Sequence, residues 1–584
     1  MKYKLIKEID NQLTPTQQVL SNRGIKLSEL HHYLNTTDED INNAEMFGQD
    51  AIKQAIRVLA EAIQNNKDTL VLVDCDCDGY TSAAILINYL YDLFPSFVDN
   101  HLKYYLHEDK THGLSDCIDY IEDNNFELII IPDAASNDYE YHKKLKEEGR
   151  QIIILDHHEA PYISEDAIVL NNQLSDYPNK QLSGAGVVWQ FCRYFDKIRN
   201  SHNADQYIDL AALGNCGDMM SLKSIETKHI ITKGFRNENI KNPFIYGMAE
   251  KNSYSLGNKI TPIGAAFYIV PFVNSMVRSG TLDEKELLFK SMLKSEAFKE
   301  ILSNKRGHKL GEMEKLVDQA LRCATNVKNR QTREQDKGME LVEGMIEKNN
   351  MMEHKVLIFL LEPGQVDPNI AGLIANKIMA KYQRPTLMLT HRDGMYQGSA
   401  RGYSKSGIEN FKDICQETGL VEYAEGHQNA FGLGIKPENI EKFIELTDIA
   451  LANMESEPLY YVDYIFKGVD VKPETILEIA GLSDLWGQDI DESLICVENL
   501  KVTKENLTLM GLEKGHPTLK ITLPNKLSIL KFKSSEEEYE KLTSSPIVEI
   551  NIVATCGKNE WLGNITPQLY INDYEIIGYQ KYNF

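Results

Sequence analysis

Three aspartates at alternate positions, Asp74, Asp76 and Asp78, close a short apolar run in Val71-Leu-Val-Asp-Cys-Asp-Cys-Asp-Gly-Tyr-Thr-Ser82. Read as a continuing strand, the run projects the three carboxylates from one face and Cys75 and Cys77 from the other. Like charges crowded in this way repel and are costly to desolvate, and a hard divalent cation such as Mg²⁺ or Mn²⁺ is their natural counter-charge. A calcium-binding EF-hand loop has related spacing, but it brings a Glu at its twelfth position and flanking amphipathic helices, and the apolar strand before Asp74 argues against it. Gly79 offers a tight turn, and Thr81 or Ser82 a cap for the buried helix read over Ala83–Leu90.

Other carboxylates end apolar runs in the same manner. Leu128-Ile-Ile-Ile-Pro132 runs into Asp133, Gln151-Ile-Ile-Ile-Leu155 into Asp156-His157-His158, and Tyr207–Gly214 is followed by Asp218. Short runs rich in Ile and Val that alternate with helical segments are the pattern of a parallel sheet in βαβ units, and open sheets gather ligands at the carboxyl ends of their strands. Asp76, Asp78, Asp133, His157 and Asp218, all read as strand-end residues, suffice for two octahedral cations about 3.5–4 Å apart sharing a carboxylate, the arrangement used in phosphoester hydrolysis.

The 584 residues exceed what one core supports and point to several domains. With 42% hydrophobic and 25% charged residues the composition is that of a soluble protein. No apolar run approaches the roughly 20 residues a membrane span needs, and the first ten residues do not read as a secretory signal, so a cytoplasmic location is expected. Nine scattered cysteines without a CxxC pair imply neither a disulfide framework nor a zinc site. The net charge of −24 argues against a general nucleic-acid binder while leaving room for a local basic groove.

Asp74-Cys-Asp-Cys-Asp-Gly79, Asp133, Asp156-His-His158 and Asp218 resemble, in order, the four motifs of the DHH phosphoesterase superfamily over residues of about 70–220. The second motif reads Pro132-Asp-Ala-Ala-Ser136 where Val-Asp-Cys-Gly is common. The resemblance implies that Asp76, Asp78, Asp133, His157 and Asp218 hold two Mn²⁺ or Mg²⁺ ions, that His158 contacts the phosphate, and that Asp74 and Asp156 support the ligands.

Residues 1 to about 65 read as helical and polar, with 3.6-residue spacing clearest over Ala51–Ile63. Charged amphipathic stretches over Leu282–Lys305 and Leu310–Asn349 predict long connecting helices. Asn274 and Arg278 in Pro271-Phe-Val-Asn-Ser-Met-Val-Arg278 resemble a linker motif of RecJ-type exonucleases, with Val277 where that family has Gly. From Lys355 a second α/β unit is expected, with strands over Val356–Leu361 and Pro385–Thr390 around a helix over Pro368–Tyr382. Gly398-Ser-Ala-Arg-Gly402 and Gly426-His-Gln-Asn-Ala-Phe-Gly-Leu-Gly434 read as glycine loops whose backbone N–H groups approach a phosphate. They resemble the Gly-Ser-x-Arg and Gly-Gly-His motifs of the DHH-associated domain, with Glu425 at the first Gly of the latter; the resemblance makes Ser399, Arg401, Gly426 and His427, with Asn274 and Arg278, contacts for nucleic acid. About five short strands between Leu494 and Val553 suit a small OB-like barrel, which Trp561–Asp573 closes in the manner of the RecJ OB domain. Lys531, Phe532 and Lys533 could contact single-stranded DNA there.

The expected architecture is thus α/β and multidomain: an N-terminal segment with a parallel-sheet DHH catalytic domain (1–235), a helical connector (236–350), a DHH-associated α/β nucleic-acid-binding domain (351–455) and a C-terminal OB-like β-barrel domain (456–584). The order resembles the RecJ-like single-strand-DNA-specific exonucleases across nearly the whole chain. That implies metal-dependent 5′-to-3′ hydrolysis of single-stranded DNA to mononucleotides in repair and recombination, by a monomer that meets single-strand-binding protein or a helicase and no membrane. The alternatives are a DHH phosphodiesterase for oligonucleotides or cyclic dinucleotides, which typically lacks the terminal barrel, and a non-catalytic DNA-binding scaffold, which lacks metal ligands.

Overall fold

The computed structural model describes residues 1–108, 111–257, 259–454, 459–561 and 563–580. The chain forms two compact units, Ile25–Asn329 with Ser483–Asp491, and Met1–Gly24 with Arg330–Leu482 and Glu492–Phe584. Among the described residues no helix is long and apolar enough to cross a membrane.

The first unit is built on a parallel sheet of β1 (Thr69–Val73), β2 (Leu102–Leu106), β3 (Leu128–Pro132), β4 (Gln151–Asp156) and β5 (Ile168–Asn171), in the order β2-β1-β3-β4-β5. The apolar runs alternate between faces. Leu70, Leu72, Ile129, Ile131, Ile152 and Ile154 fill one core with Leu114, Ile121 and Leu145, and Val71, Val73, Ile130 and Ile153 are buried on the other face. There α1 (Cys77–Leu93) and α2 (Gly184–Arg199) pack on the strands. Each such buried side chain contributes roughly 1.5–3 kcal/mol. The connection after β1 runs one way along the sheet and the next returns past it, so a crevice opens beyond the carboxyl ends of β1 and β3.

Five local expectations are corrected. The first motif does not continue as a strand: β1 stops at Val73 and α1 begins at Cys77. The helix cap is Asp76, whose side chain accepts from Gly79 N at 3.0 Å, rather than Thr81 or Ser82. Asp218 follows a helix, α3 (Ile208–Gly217), and not a strand. Lys2–Leu5 is a strand, paired in parallel with Leu459–Val462; Tyr3 and Leu5 pack on Val462, Cys496 and Val553, a period of two hidden in Met1-Lys-Tyr-Lys-Leu. The expected long connecting helices are interrupted by a hairpin, Glu300–Leu302 with Met313–Lys315, between helices Leu282–Met292 and Leu316–Lys348. Gly307 and Gly311 adopt positive φ in its turn, and buried Glu314 ties it to Arg322 at 2.6 and 2.8 Å.

The second unit carries a sheet of β6 (Leu357–Leu361), β7 (Thr386–Arg392), β8 (Met395–Arg401), β9 (Val421–His427) and β10 (Ala430–Ile435), ordered β9-β10-β8-β7-β6. Only β6 and β7 run parallel, joined by a helix over Pro368–Tyr382. A seven-stranded sheet follows, with neighbours in the order Tyr464–Lys467, Leu494–Val502, Ile547–Trp561, Asn564–Gln580, Ser528–Phe532, Thr518–Thr522 and Leu507–Met510. It has more strands than the five expected because Tyr464–Lys467 pairs in parallel with Leu494–Val502 and the closing segment is a long strand in its own right. The boundary expected at 455/456 lies outside the described residues.

Candidate functional site

The crevice at the ends of β1 and β3 collects every aspartate and histidine singled out between residues 74 and 218. His157 Nε2 is their meeting point, 3.2 Å from Asp133 Oδ1, 3.4 Å from Asp218 Oδ2 and 3.8 Å from Asp78 Oδ2. Oxygens of Asp74, Asp76 and Asp133 lie within 4.8 Å of one another, as do ligand atoms of Asp133, His157 and His158. Among the described residues, His157 Nε2, Asp133 Oδ1 and Asp74 Oδ1 are buried without a hydrogen-bond partner. Buried polar atoms are rarely left so, and carboxylate oxygens with an imidazole nitrogen, as in Asp133 and His157, are the donors a divalent cation takes.

Electrostatics give the same reading. Burial, and then the charges of Asp78, Asp76, Asp74 and Asp218, push the Asp133 carboxyl far above the ordinary range. Burial, followed by Asp78 and Asp76, pushes Asp218 up to about 8. Burial also holds the His157 ring below its usual value, which favours the neutral, metal-binding form. Carboxylates so placed need a positive partner.

Backbone features explain how the groups come so close. Asp133 has φ +64° and Ala135 φ +72°, a left-handed conformation that costs on the order of 1 kcal/mol per non-glycine residue and turns the carboxylate out of the strand direction. Gly184 opens α2 where a Cβ would fall 2.4 Å from Asp133 Oδ1, and Gly214 lies where one would fall 2.3 Å from Asp78 Oδ1. Asp78 is held by the start of α2, accepting from Ser183 Oγ at 2.8 Å, Gly184 N at 2.7 Å and Ala185 N at 3.1 Å.

Asp156 organises the histidine pair. Its Oδ1 accepts from His157 N and from His158 Nδ1, both at 2.7 Å, and its Oδ2 from Ser136 N at 3.1 Å. Burial raises its pKa, but the His158 hydrogen bond and the imidazole charges outweigh it and hold the carboxyl below the usual range. His158 keeps a half-exposed ring whose Nδ1 is taken by Asp156. Asn274, on α4 (Val270–Ser279), accepts from Cys77 N at 3.2 Å and so braces the first turn of α1, while Arg278 lies half-buried in the last turn of α4.

The residues expected in the second unit sit differently. Gly398, Ser399 and Arg401 are not in a loop: they lie on β8, which is paired on both sides with β7 and β10. Gly426 and His427 end β9 at its hairpin with β10, and Gly426 has φ +120°. The expected loops are therefore corrected to strands: β8 is hydrogen-bonded on both sides, whereas β9, which carries Gly426 and His427, lies at the edge of the sheet. Their glycines answer packing: a Cβ on Gly398 would lie 2.0 Å from Met388 O. Arg401 and Ser399 cluster over Gly372, whose added Cβ would meet Arg401 Nη2 at 2.5 Å and Ser399 Oγ at 3.3 Å, and His427 is exposed. In the last sheet Phe532 is exposed, whereas Lys531 pairs with Glu538 at 2.9 Å.

One histidine escaped the motif reading. His112 Nδ1 lies 2.7 Å from Asp74 Oδ2. Nothing in its neighbours, Thr111 and Gly113, marks it; only the fold brings it to Asp74.

Comparison with known proteins agrees with this layout. Residues 68–215 match the family described as "DHH family, N-terminal domain", and residues 462–573 match the "RecJ OB domain". The chain is 32% identical, over 99% of its length and 98% of the relative's, to the putative SPbeta prophage-derived single-strand DNA-specific exonuclease YorK of Bacillus subtilis (strain 168). It is 24% identical to the single-stranded-DNA-specific exonuclease RecJ of the same organism, over 99% of this chain and 70% of that one. Among solved structures, RecJ in complex with Mn²⁺ from Thermus thermophilus has the same fold, with a TM-score of 0.69 at 18% identity, covering 99% of this chain and 80% of that chain.

Proposed function

The chain belongs to the RecJ-like single-strand-DNA-specific exonucleases of the DHH family, and from that premise we propose that it hydrolyses single-stranded DNA from the 5′ end to mononucleotides with two divalent cations, Mn²⁺ or Mg²⁺. The observation that carries the reading is the convergence of Asp78, Asp133 and Asp218 on the unsatisfied Nε2 of His157. Asp76, Asp78, Asp133, His157 and Asp218 are the residues that would hold the ions. When bound, such ions lower the pKa of water and offset charge that builds on the phosphoryl oxygens.

The protein's own groups have separate tasks. Asp156 fixes the His158 tautomer, so that Nε2 faces the substrate and donates to a phosphoryl oxygen. Asp133, turned by its left-handed backbone, is the carboxylate shared between the two clusters of ligand atoms. Arg278, Ser399, Arg401, Gly426 and His427 contact the strand, and Asn274 holds α1 in place from behind. We place the enzyme in the cytoplasm, as a monomer acting in repair or recombination on strands exposed by a helicase or coated by single-strand-binding protein.

The test is degradation of a long single-stranded DNA labelled at one end or the other, with Mn²⁺ and with chelator, beside the matching duplex. Metal-dependent release of the 5′ label first, with the duplex spared, is the expected result. An intact long strand alongside cleaved dinucleotides would replace this reading with a small-nucleotide phosphodiesterase, and binding without cleavage of either would replace it with a scaffold.

A further inference from the structure

His112 is held as firmly as the histidine already given a role. On one side of it His107 Nδ1 is 2.7 Å from Asp116 Oδ1. On the other, Leu114 N donates to Asp138 Oδ2 at 2.8 Å, and Gly113 turns with φ +73° at a point where a Cβ would fall 2.3 Å from that same oxygen. These ties bring the ring to Asp74. The ring also touches Cys75 Sγ, 3.7 Å from Nδ1 and 3.6 Å from Nε2, so the sulfur faces the ring between the nitrogens rather than along either N–H.

The pair has the same form as Asp156 and His158. Asp74 is 2% exposed and its imidazole 60%, with 2.7 Å between Oδ2 and Nδ1. Asp156 is 0% exposed and its imidazole 53%, again with 2.7 Å between them. In each, a buried carboxylate takes Nδ1 and thereby fixes a ring that stays more than half exposed. A surface ion pair adds little stability, so orienting a mostly exposed ring through a buried carboxylate serves something the ring meets. The pairs also border the same centre: Asp74 clusters with Asp76 and Asp133, and Asp133 with His157 and His158.

We propose that His112 is a second imidazole contact for the substrate, positioned by Asp74 as His158 is by Asp156, with Nε2 donating to a non-bridging phosphate oxygen. The inference rests on the nuclease reading above for the identity of that phosphate, which is either the one being cleaved or its neighbour along the strand. Asp74 is a positioning residue in this scheme.

The full-length protein is compared with His112→Ala, His112→Gln and Asp74→Asn. Binding of dTMP in the presence of Mg²⁺ is measured by equilibrium dialysis, Mn²⁺ affinity by electron paramagnetic resonance, and kcat/KM on a short oligonucleotide. His112→Ala weakens dTMP binding about tenfold, the size of one charge-assisted hydrogen bond, and leaves Mn²⁺ affinity and the thermal midpoint unchanged. His112→Gln, which keeps an N–H donor, recovers part of the loss, and Asp74→Asn behaves as an intermediate. A methylphosphonate at the contacted phosphate makes wild type and His112→Ala equal in kcat/KM. Placed at the scissile or at the neighbouring position, it distinguishes the two sources. Unchanged dTMP affinity in His112→Ala overturns the proposal, and so does a parallel fall in Mn²⁺ affinity, which would make the ring a metal ligand with Asp74 and Cys75. If the wild type cuts no single-stranded DNA, the nuclease reading fails while the dTMP comparison still decides the His112 contact.

Discussion

The two α/β sheets of this chain place polar residues in opposite ways. In the parallel sheet of the first unit, polar side chains stand past the strand ends at a switch point, and several of their buried atoms are left unsatisfied. In the mixed sheet of the second unit, the residues of interest are on the strands themselves, Ser399 and Arg401 on β8 with ladders on both sides and Gly426 and His427 on the edge strand β9. The first arrangement is made to hold a charge; the second presents side chains from a rigid surface. A glycine accordingly means different things in each: Gly184 and Gly214 make room for carboxylates, while Gly398 makes room for a neighbouring carbonyl.

The largest effect should come from Asp133→Ala. Hydrolysis of single-stranded DNA in Mn²⁺ is expected to fall by at least about 1,000-fold, while binding of a long strand, read by fluorescence anisotropy in chelator, stays within about threefold; near-normal turnover would remove Asp133 from the metal centre. The glycines sharpen the contrast. Gly214→Ala should lower Mn²⁺ affinity and activity with a modest stability change, and Gly398→Ala should lower the urea midpoint of unfolding by the equivalent of about 1–3 kcal/mol with Mn²⁺ affinity preserved. The reverse pattern would erase the distinction between the sheets. A smaller change is expected for Arg401→Ala, about tenfold weaker strand binding from one lost charge-assisted contact, with unaltered Mn²⁺ affinity; equal loss of metal would mean that the second sheet acts through the first.

The last effect is one of pH and lies in the first unit. Burial holds His142 down at about 4, from an ordinary 6.5, with Nδ1 3.1 Å from Ser164 Oγ. The unfolded chain therefore binds the proton first as pH falls, and stability is lost from about pH 6.5 down to about 4. Linkage puts the loss at about 2 kcal/mol by pH 5. Urea unfolding at pH 7 and pH 5 should show it in the wild type and show less in His142→Gln; an equal drop in both would assign the acid sensitivity to other groups.

Much of the first sheet was legible because each apolar run ends on the residue that does chemistry, Val73 before Asp74, Pro132 before Asp133, Leu155 before Asp156. Period-2 burial and strand-end placement are local signals. Where the reading failed, either a local choice between helix and strand or a long-range contact decided. Asp76 caps a helix because Cys77 begins one; Asp218 ends a helix whose apolar segment was too short to distinguish from a strand. His112 reaches Asp74 across 38 positions, and the strand at Lys2–Leu5 exists because a partner lies at Leu459–Val462. The glycine segments around Ser399 and His427 misled because glycine at a loop and glycine at a crowded strand crossing look alike in one sequence.

That first strand also sets a timetable. Lys2–Leu5 waits for residues 459–462, and at about 5–20 residues per second of synthesis the wait is roughly 20–90 s. The exchange runs the other way too, since Ser483–Asp491 belongs with the first unit and Gln488 O accepts from Leu222 N at 3.0 Å. Neither unit can be finished before the ribosome has passed residue 491, so an interrupted chain leaves both incomplete, and a fragment that ends within the long helix carries the carboxylates of the metal centre on a unit still missing its last piece.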